Sequence, residues 1–122
     1  MRSYSTSMKN ISAIFSTEVV FLFAGTVKEG IPTKNVLEHL SKKISVGWRK
    51  LGRRLSFEEE DLQEFDRGRE EISEKAYAML LRWKQRKGSD ATYRVLNNAL
   101  RHTLVNRTDL AQEFCCFTEQ GF

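Results

Sequence analysis

From residue 33 onward, apolar residues recur at intervals of three and four positions along the chain. This spacing places them on one face of an α-helix, whereas a half-buried strand would alternate apolar and polar residues. The apolar segments are separated by short stretches containing Gly, Ser, Asn or Asp, residues that favour helix ends and turns. The pattern therefore predicts an all-α domain.

Six helical segments are predicted between residue 33 and the C-terminal region. Their expected N-terminal caps are Thr33 for the first helix, Ser56 with Glu59 as a capping box for the third, Ser73 for the fourth, Ser89 or Asp90 for the fifth, and Asn106 or Thr108 for the sixth. Gly47, Gly68 and Gly88 are expected to end the first, third and fourth helices, respectively. Because the connections span only a few residues, the six helices should pack as a compact antiparallel bundle.

Each predicted helix has an apolar face that should point into the bundle. The inward residues are expected to be Val36, Leu37, Leu40, Ile44, Trp48, Leu51, Leu55, Leu62, Phe65, Ala76, Leu80, Trp83, Val95, Leu96, Ala99, Leu100, Leu110 and Phe114. The two tryptophans are interpreted as core residues, since burying an indole removes a large apolar area from water.

The first 32 residues have a different composition, rich in Ser and Thr, with a short apolar run at residues 19–24. Ser16, Thr17 and Glu18 interrupt the region before this run, so a secretory signal is the less favoured alternative, and the run is too short to span a bilayer. We therefore predict an N-terminal tail at 1–32 (poorly ordered or a short appended helix), one domain at 33–117 and a C-terminal tail at 118–122. Membrane association is expected, if at all, only through residues 19–24.

Cys115 and Cys116 are the only cysteines in the sequence, and they are adjacent. Neighbouring cysteines rarely bridge each other, so a secreted disulfide scaffold is excluded and a reducing, cytoplasmic compartment is favoured. One thiol is expected to be packed and the other exposed, at the end of the sixth helix. His39 and His102 are isolated and predict no metal site. The sequence has no Gly-rich phosphate loop and no nucleophile motif, so neither an enzyme nor a cofactor is predicted.

The net charge of +4 and the isoelectric point near 9.2 raise the alternative of a small basic helical domain that binds nucleic acid. The basic stretch from Trp48 to Arg54 would be its backbone-contacting helix. Acidic residues from Glu58 to Asp66 follow directly, however, and would repel a polyanion at the neighbouring surface. Nucleic-acid binding is therefore the second interpretation of the charge pattern.

Four stretches, in order and at suitable intervals, are similar to the death-domain family. They are residues 47–55 with Trp48, Leu51 and Leu55; Glu60-Asp61-Leu62 followed by Phe65 and Asp66; residues 78–84 with a Leu-x-x-Trp pattern that ends at Trp83; and residues 88–92 running into Leu96 and Ala99-Leu100. The resemblance extends from Val36 to Cys116 and includes all six predicted helices.

The resemblance implies a six-helix Greek-key bundle that binds other death domains, possible self-association included, in apoptotic or inflammatory signal transduction. It implies a cytoplasmic interaction module of adaptor or receptor-tail type, without a small-molecule substrate. The family pattern does not identify which death domain is the partner.

Charges of opposite sign are segregated along the chain. Residues 58–66 contain six acids and no base, whereas residues 42–54 contain six bases and no acid. Patches of opposite sign on different helices can steer one copy of a domain onto another. By resemblance to death-domain assemblies, the expected partner-binding residues are Arg49, Lys50, Arg53, Glu59, Asp61, Glu64, Asp66, Arg82, Arg86, Lys87, Asp90, Arg107 and Asp109. The acids of the third helix would face a basic surface on a neighbour, formed by the second or the fourth helix.

Overall fold

A computed structural model describes residues 26–117. Five α-helices of seven or more residues lie within this range: α1 (Lys34–Ile44), α2 (Trp48–Arg54), α3 (Glu59–Asp66), α4 (Ile72–Lys87) and α5 (Tyr93–Arg101). Short 3₁₀ turns join α1 to α2 (Ser45–Gly47) and follow α4 (Gly88–Asp90). Over this range the chain has no named strand, and the predicted all-α class is confirmed.

The sixth predicted helix is the main correction, because only five regular helices form within residues 26–117. Thr108–Leu110 make a single α-helical turn, α6, which runs into a π-helical turn at Ala111–Cys115. At this point the backbone of residues 27–28 pairs with the backbone that follows α6. Lys28 N donates to Cys115 O at 2.8 Å, and Val27 forms an antiparallel bridge with Cys116. The chain therefore leaves α6 in an extended conformation.

The helix starts agree only in part with the predicted caps. The Thr33 hydroxyl accepts a hydrogen bond from Val36 N at 3.2 Å, so the first cap is confirmed. The capping box of α3 is formed by Glu58 and Asp61, and the predicted box at Ser56 is wrong, because Ser56 lies in a left-handed turn (φ 77°). Ser73 lies inside α4, which begins at Ile72 after Glu71.

The last two predicted caps are also wrong. Thr92 caps α5 by accepting from Val95 N at 3.2 Å, since Ser89 and Asp90 belong to the preceding 3₁₀ turn. The start of α6 follows Arg107, which caps it without a side-chain hydrogen bond. The glycine stop at Gly88 is confirmed: it ends α4 with a positive φ of 56°.

The long helix α4 lies at the centre of the bundle, packed against α1, α2 and α3. Trp48 and Trp83 are both buried, with exposed fractions of 4% and 1%, so the prediction that they are core residues is confirmed. Val95 is 40% exposed and does not belong to the core stripe of α5. The buried leucines of all five helices and Trp83 belong to one continuous core.

Residues 26–32 lie against the helical domain. Besides the bridge to Cys116, Gly30 O accepts from Tyr93 N at 3.0 Å and Pro32 O accepts from the Lys84 ammonium. The predicted boundary at residue 33 stays a prediction. The apolar run at 19–24 and the tail at 118–122 lie outside the described residues. None of the helices within residues 26–117 has the length and apolar content needed to cross a membrane.

Both cysteines are buried, so the prediction that one of them is exposed is wrong. Cys116 lies between Asn97 Oδ1 at 3.6 Å and Arg101 Nη2 at 3.7 Å. Burial raises the pKa of the Cys115 thiol to about 12. At neutral pH Cys115 is therefore a protonated core side chain and has little thiolate character.

Candidate protein-binding surface

Helix α3 is amphipathic in a way that turns its acids toward solvent. Its first turn is fixed by the capping box, in which Asp61 Oδ2 accepts from Glu58 N at 3.0 Å. Leu62 and Phe65 are buried, with the Phe65 ring edge-on to Phe57 at a centroid distance of 5.2 Å. Apart from Gln63, the remaining positions of this helix carry carboxylates that are exposed or half-buried.

Helix α2 presents a basic side to solvent because its apolar side is bound to the core. Trp48 and Leu51 are buried, and Gly52 lies so close to α3 that a Cβ there would come within 2.7 Å of Leu62 Cδ2. This close approach brings the arginines of α2 within reach of the carboxylates of α3. Arg49 also lies over the Trp48 ring, at 4.9 Å from its centroid.

Four ion pairs connect the acids of α3 to helices α2 and α4. The N···O distances are 2.7 Å for Arg53–Glu59, 2.7 Å for Arg49–Asp66, 2.5 Å for Lys75–Asp66 and 3.5 Å for Arg86–Asp61. Glu64 at the far end of the row accepts from Arg67 at 2.9 Å, with both side chains 70% exposed. We call this row of acids and their cations the α3 charge belt.

The cations of the belt keep its carboxylates ionised. Hydrogen bonding to Lys75, supported by Arg49, lowers the pKa of Asp66, and Arg53 does the same for Glu59. The pKa of Asp61 is lowered first by its bond from Glu58 N and then by Arg86. These three carboxylates are thus ionised at neutral pH.

Acidification should weaken the folded state through these carboxylates. Their native pKa values lie below the unfolded ones, so the unfolded chain binds more protons as the pH falls through the region below about 4. The stabilisation is present above that region and is lost within it. Thermal unfolding followed by circular dichroism should show a midpoint that falls steadily below about pH 4. A midpoint independent of pH there would contradict this account of the belt.

Six of the predicted binding residues lie outside the belt. Lys50, Arg82, Lys87 and Asp90 are exposed, and their side chains have no hydrogen-bond or ion-pair partner among residues 26–117. Arg107 and Asp109 form a two-point ion pair with each other, both bonds 3.1 Å long. The backbone at the start of α6 is held as well, because Arg107 N donates to Leu100 O at 2.9 Å.

Two members of the belt were not predicted from the sequence. Arg67 lies three residues after Glu64, a helical ion-pair spacing that could have indicated it. Lys75 pairs with Asp66 because the loop between α3 and α4 brings the first turns of α4 next to the end of α3. No local sequence signal indicates that contact.

The same pairs bear on the nucleic-acid alternative. Arg49 and Arg53, two of the cations of the basic helix, each have a carboxylate oxygen of α3 at 2.7 Å. A polyanion approaching α2 would meet these acids at the same surface, which disfavours phosphate binding. Among the described residues, no group of three or more His, Cys, Asp or Glu side chains is placed to hold a metal ion.

The α2–α4 side of this all-α bundle is thus a row of exposed ion pairs. The family model of the Death domain matches residues 34–114, and the chain therefore belongs to the Death domain family. The resemblance noted from the sequence and the death-domain fold are thereby confirmed. Comparison with curated proteins and with solved structures gives no match. Death domains are non-enzymatic protein–protein interaction modules of apoptotic and inflammatory signalling, and they typically bind other death-fold domains.

Proposed function

We propose that this chain is a cytoplasmic adaptor-like module that assembles with other death domains in apoptotic or inflammatory signalling and catalyses no reaction. The observation that supports this best is the α3 charge belt. It brings acids and bases of three helices together on one exposed surface, with more cations beside it at Lys50 and Arg82.

Exposed ion pairs of this kind can be exchanged at low cost. Each contributes little to the stability of the isolated domain, because water solvates both partners well. When a second domain covers the belt, the same side chains lose that water and can re-pair across the interface. Arginine forms bidentate bonds to carboxylates, so several such exchanges together select the partner and fix its register.

The proposed contacts are head-to-tail. The acids Glu59, Asp61, Glu64 and Asp66 would face a basic surface on the neighbouring domain, made of Arg49, Lys50 and Arg53 or of Arg82 and Arg86. The loop from Lys87 to Asp90 would meet the region of Arg107 and Asp109. Contacts between two different surfaces do not close on themselves, so helical oligomers can form.

The variant Glu64→Lys should abolish partner binding and leave the fold intact. Glu64 is 70% exposed and pairs only with Arg67 among the described residues, so its loss should change the free energy of unfolding by no more than about 0.5 kcal/mol. A lysine there reverses the charge at one end of the belt and repels the partner's cations. Isothermal titration calorimetry should show that the variant's affinity for a death domain that the unchanged chain binds falls at least about tenfold.

The matched control is Glu38→Lys, the same reversal at an exposed position of α1 away from the belt. It should bind as the unchanged protein does. A Glu64→Lys protein that melts normally and binds with unchanged affinity would show that the belt is not the binding surface.

A further inference from the structure

A second charged surface surrounds the exposed side chain of Leu104. A shallow groove of about 170 Å³ is lined by Leu104 and by three cations of α2, namely Lys50, Arg53 and Arg54. Leu104 is 60% exposed. We call this surface the Leu104 face.

The turn that carries Leu104 is held in place by several bonds. His102 Nδ1 accepts from Leu104 N at 3.1 Å, Asn106 N donates to His102 O at 2.7 Å, and the neighbouring Val105 is buried. The leucine is therefore presented to solvent by an ordered turn. An apolar side chain held outward and ringed by cations has the form of an interface centre with a polar rim.

The cations of the Leu104 face are less occupied than those of the α3 charge belt. Only Arg53 has a carboxylate partner, Glu59, among the described residues. Lys50 has no partner there, and the nearest polar group to Arg54 is His102 Nε2 at 3.4 Å. Lys50 and Arg54 can therefore meet an acidic partner without breaking an ion pair of their own chain.

The chain carries a complementary surface at the start of α4. Ile72 is 38% exposed, and the exposed glutamates around it are Glu70, Glu71 and Glu74. Their side chains have no hydrogen-bond or ion-pair partner within residues 26–117. We call this second surface the Ile72 ridge. A part-exposed isoleucine next to unpaired glutamates is the chemical counterpart of an exposed leucine next to cations.

We infer that the Leu104 face binds the Ile72 ridge of a second copy of this chain. This inference rests on the proposed function and names one of its partners and the surfaces involved. This contact differs from those of the α3 charge belt, where each carboxylate has a cation at 2.5–3.5 Å and meets a partner by exchanging it. Because face and ridge lie on different elements, every copy offers one of each, and copies add head to tail.

Charge reversal in the full chain tests this contact. One variant reverses the face (Lys50→Glu with Arg54→Glu), and a second reverses the ridge (Glu70→Lys with Glu71→Lys). In sedimentation velocity at low salt, each alone should lose self-association at least about tenfold. Mixed in equal amounts, they should associate again, because the intact face of one variant meets the intact ridge of the other and the two reversed surfaces are also complementary. A variant with all four changes should self-associate again.

Two controls keep the outcome specific. Lys34→Glu and Glu38→Lys reverse exposed charges on α1 outside both surfaces and should leave association unchanged. Circular dichroism melts confirm that each variant is folded. If both double variants associate like the unchanged chain while Glu64→Lys does not, this contact is wrong and the proposed function stands. If the chain binds neither itself nor any other death domain, both are wrong.

Discussion

Replacing Trp83 by alanine is expected to lower the free energy of unfolding by about 3–5 kcal/mol, a large share of the stability of so small a domain. Trp83 is 1% exposed and lies on α4, the helix that packs against α1, α2 and α3. Truncation removes the largest side chain from this centre and leaves a cavity that helices on three sides cannot close. Urea unfolding followed by circular dichroism measures the loss directly.

The matched variant Trp83→Phe should be much less harmful. The Trp83 Nε1–H is buried without an acceptor among the described residues, so the native indole carries an unsatisfied donor. Phenylalanine keeps much of the apolar volume and removes that donor, whose burial costs about 1–3 kcal/mol. Equal losses for the two variants would show that packing around the ring does not determine the stability at this position.

Replacing Gly52 by valine is the second change with a large expected effect, about 2–3 kcal/mol of destabilisation. A Cβ at this position would lie 2.7 Å from Leu62 Cδ2 and 3.5 Å from Met79 Cγ, and both neighbours are fully buried. Valine adds two further methyl groups to a contact that is already too short. Helix α2 would have to move away from α3, which also lengthens the Arg49–Asp66 and Arg53–Glu59 pairs.

Gly52→Ala separates crowding from helix propensity. Alanine gains about 1 kcal/mol of helix propensity over glycine, which offsets part of the clash with the Leu62 methyl group. The alanine variant should therefore lie between the unchanged protein and the valine variant in thermal unfolding. Wild-type stability in the valine variant would contradict the close packing of α2 on α3.

Much of the helical architecture follows from apolar periodicity in the sequence. The repeat of Trp48, Leu51 and Leu55 indicates α2, and the apolar spacing that includes Leu80 and Trp83 indicates α4; both form where predicted. These segments are determined locally, because burying an apolar face favours the helix whose period matches it.

The errors occur where tertiary contacts outweigh local signals. Ser56 has the correct spacing for a cap, but Glu58 and Asp61 offer a competing box two residues later, and Ser56 is left in the turn. The sixth helix stops short because the segment around Val27 pairs with the backbone at Cys116. A pairing between residues so distant in the chain cannot be predicted from the periodicity of apolar residues.

For the binding surface, the sequence indicates the charged residues but cannot give their pairing. Segregated runs predicted that α2 and α3 carry opposite charges, yet Asp66 finds both Arg49 and Lys75 only in the folded domain. The exposure of Leu104 cannot be predicted from the sequence either, since an isolated leucine in a polar stretch is ordinarily interpreted as a core residue. Which predicted residues bind a partner remains a prediction.

The most direct test of the proposed function is the mass of the full chain by light scattering, alone and mixed with a panel of purified death domains, at low and at physiological salt. We predict complexes with itself or with at least one other death domain, larger at low salt because opposite charges hold them together. A folded monomer that binds no death domain at either salt concentration would contradict the account.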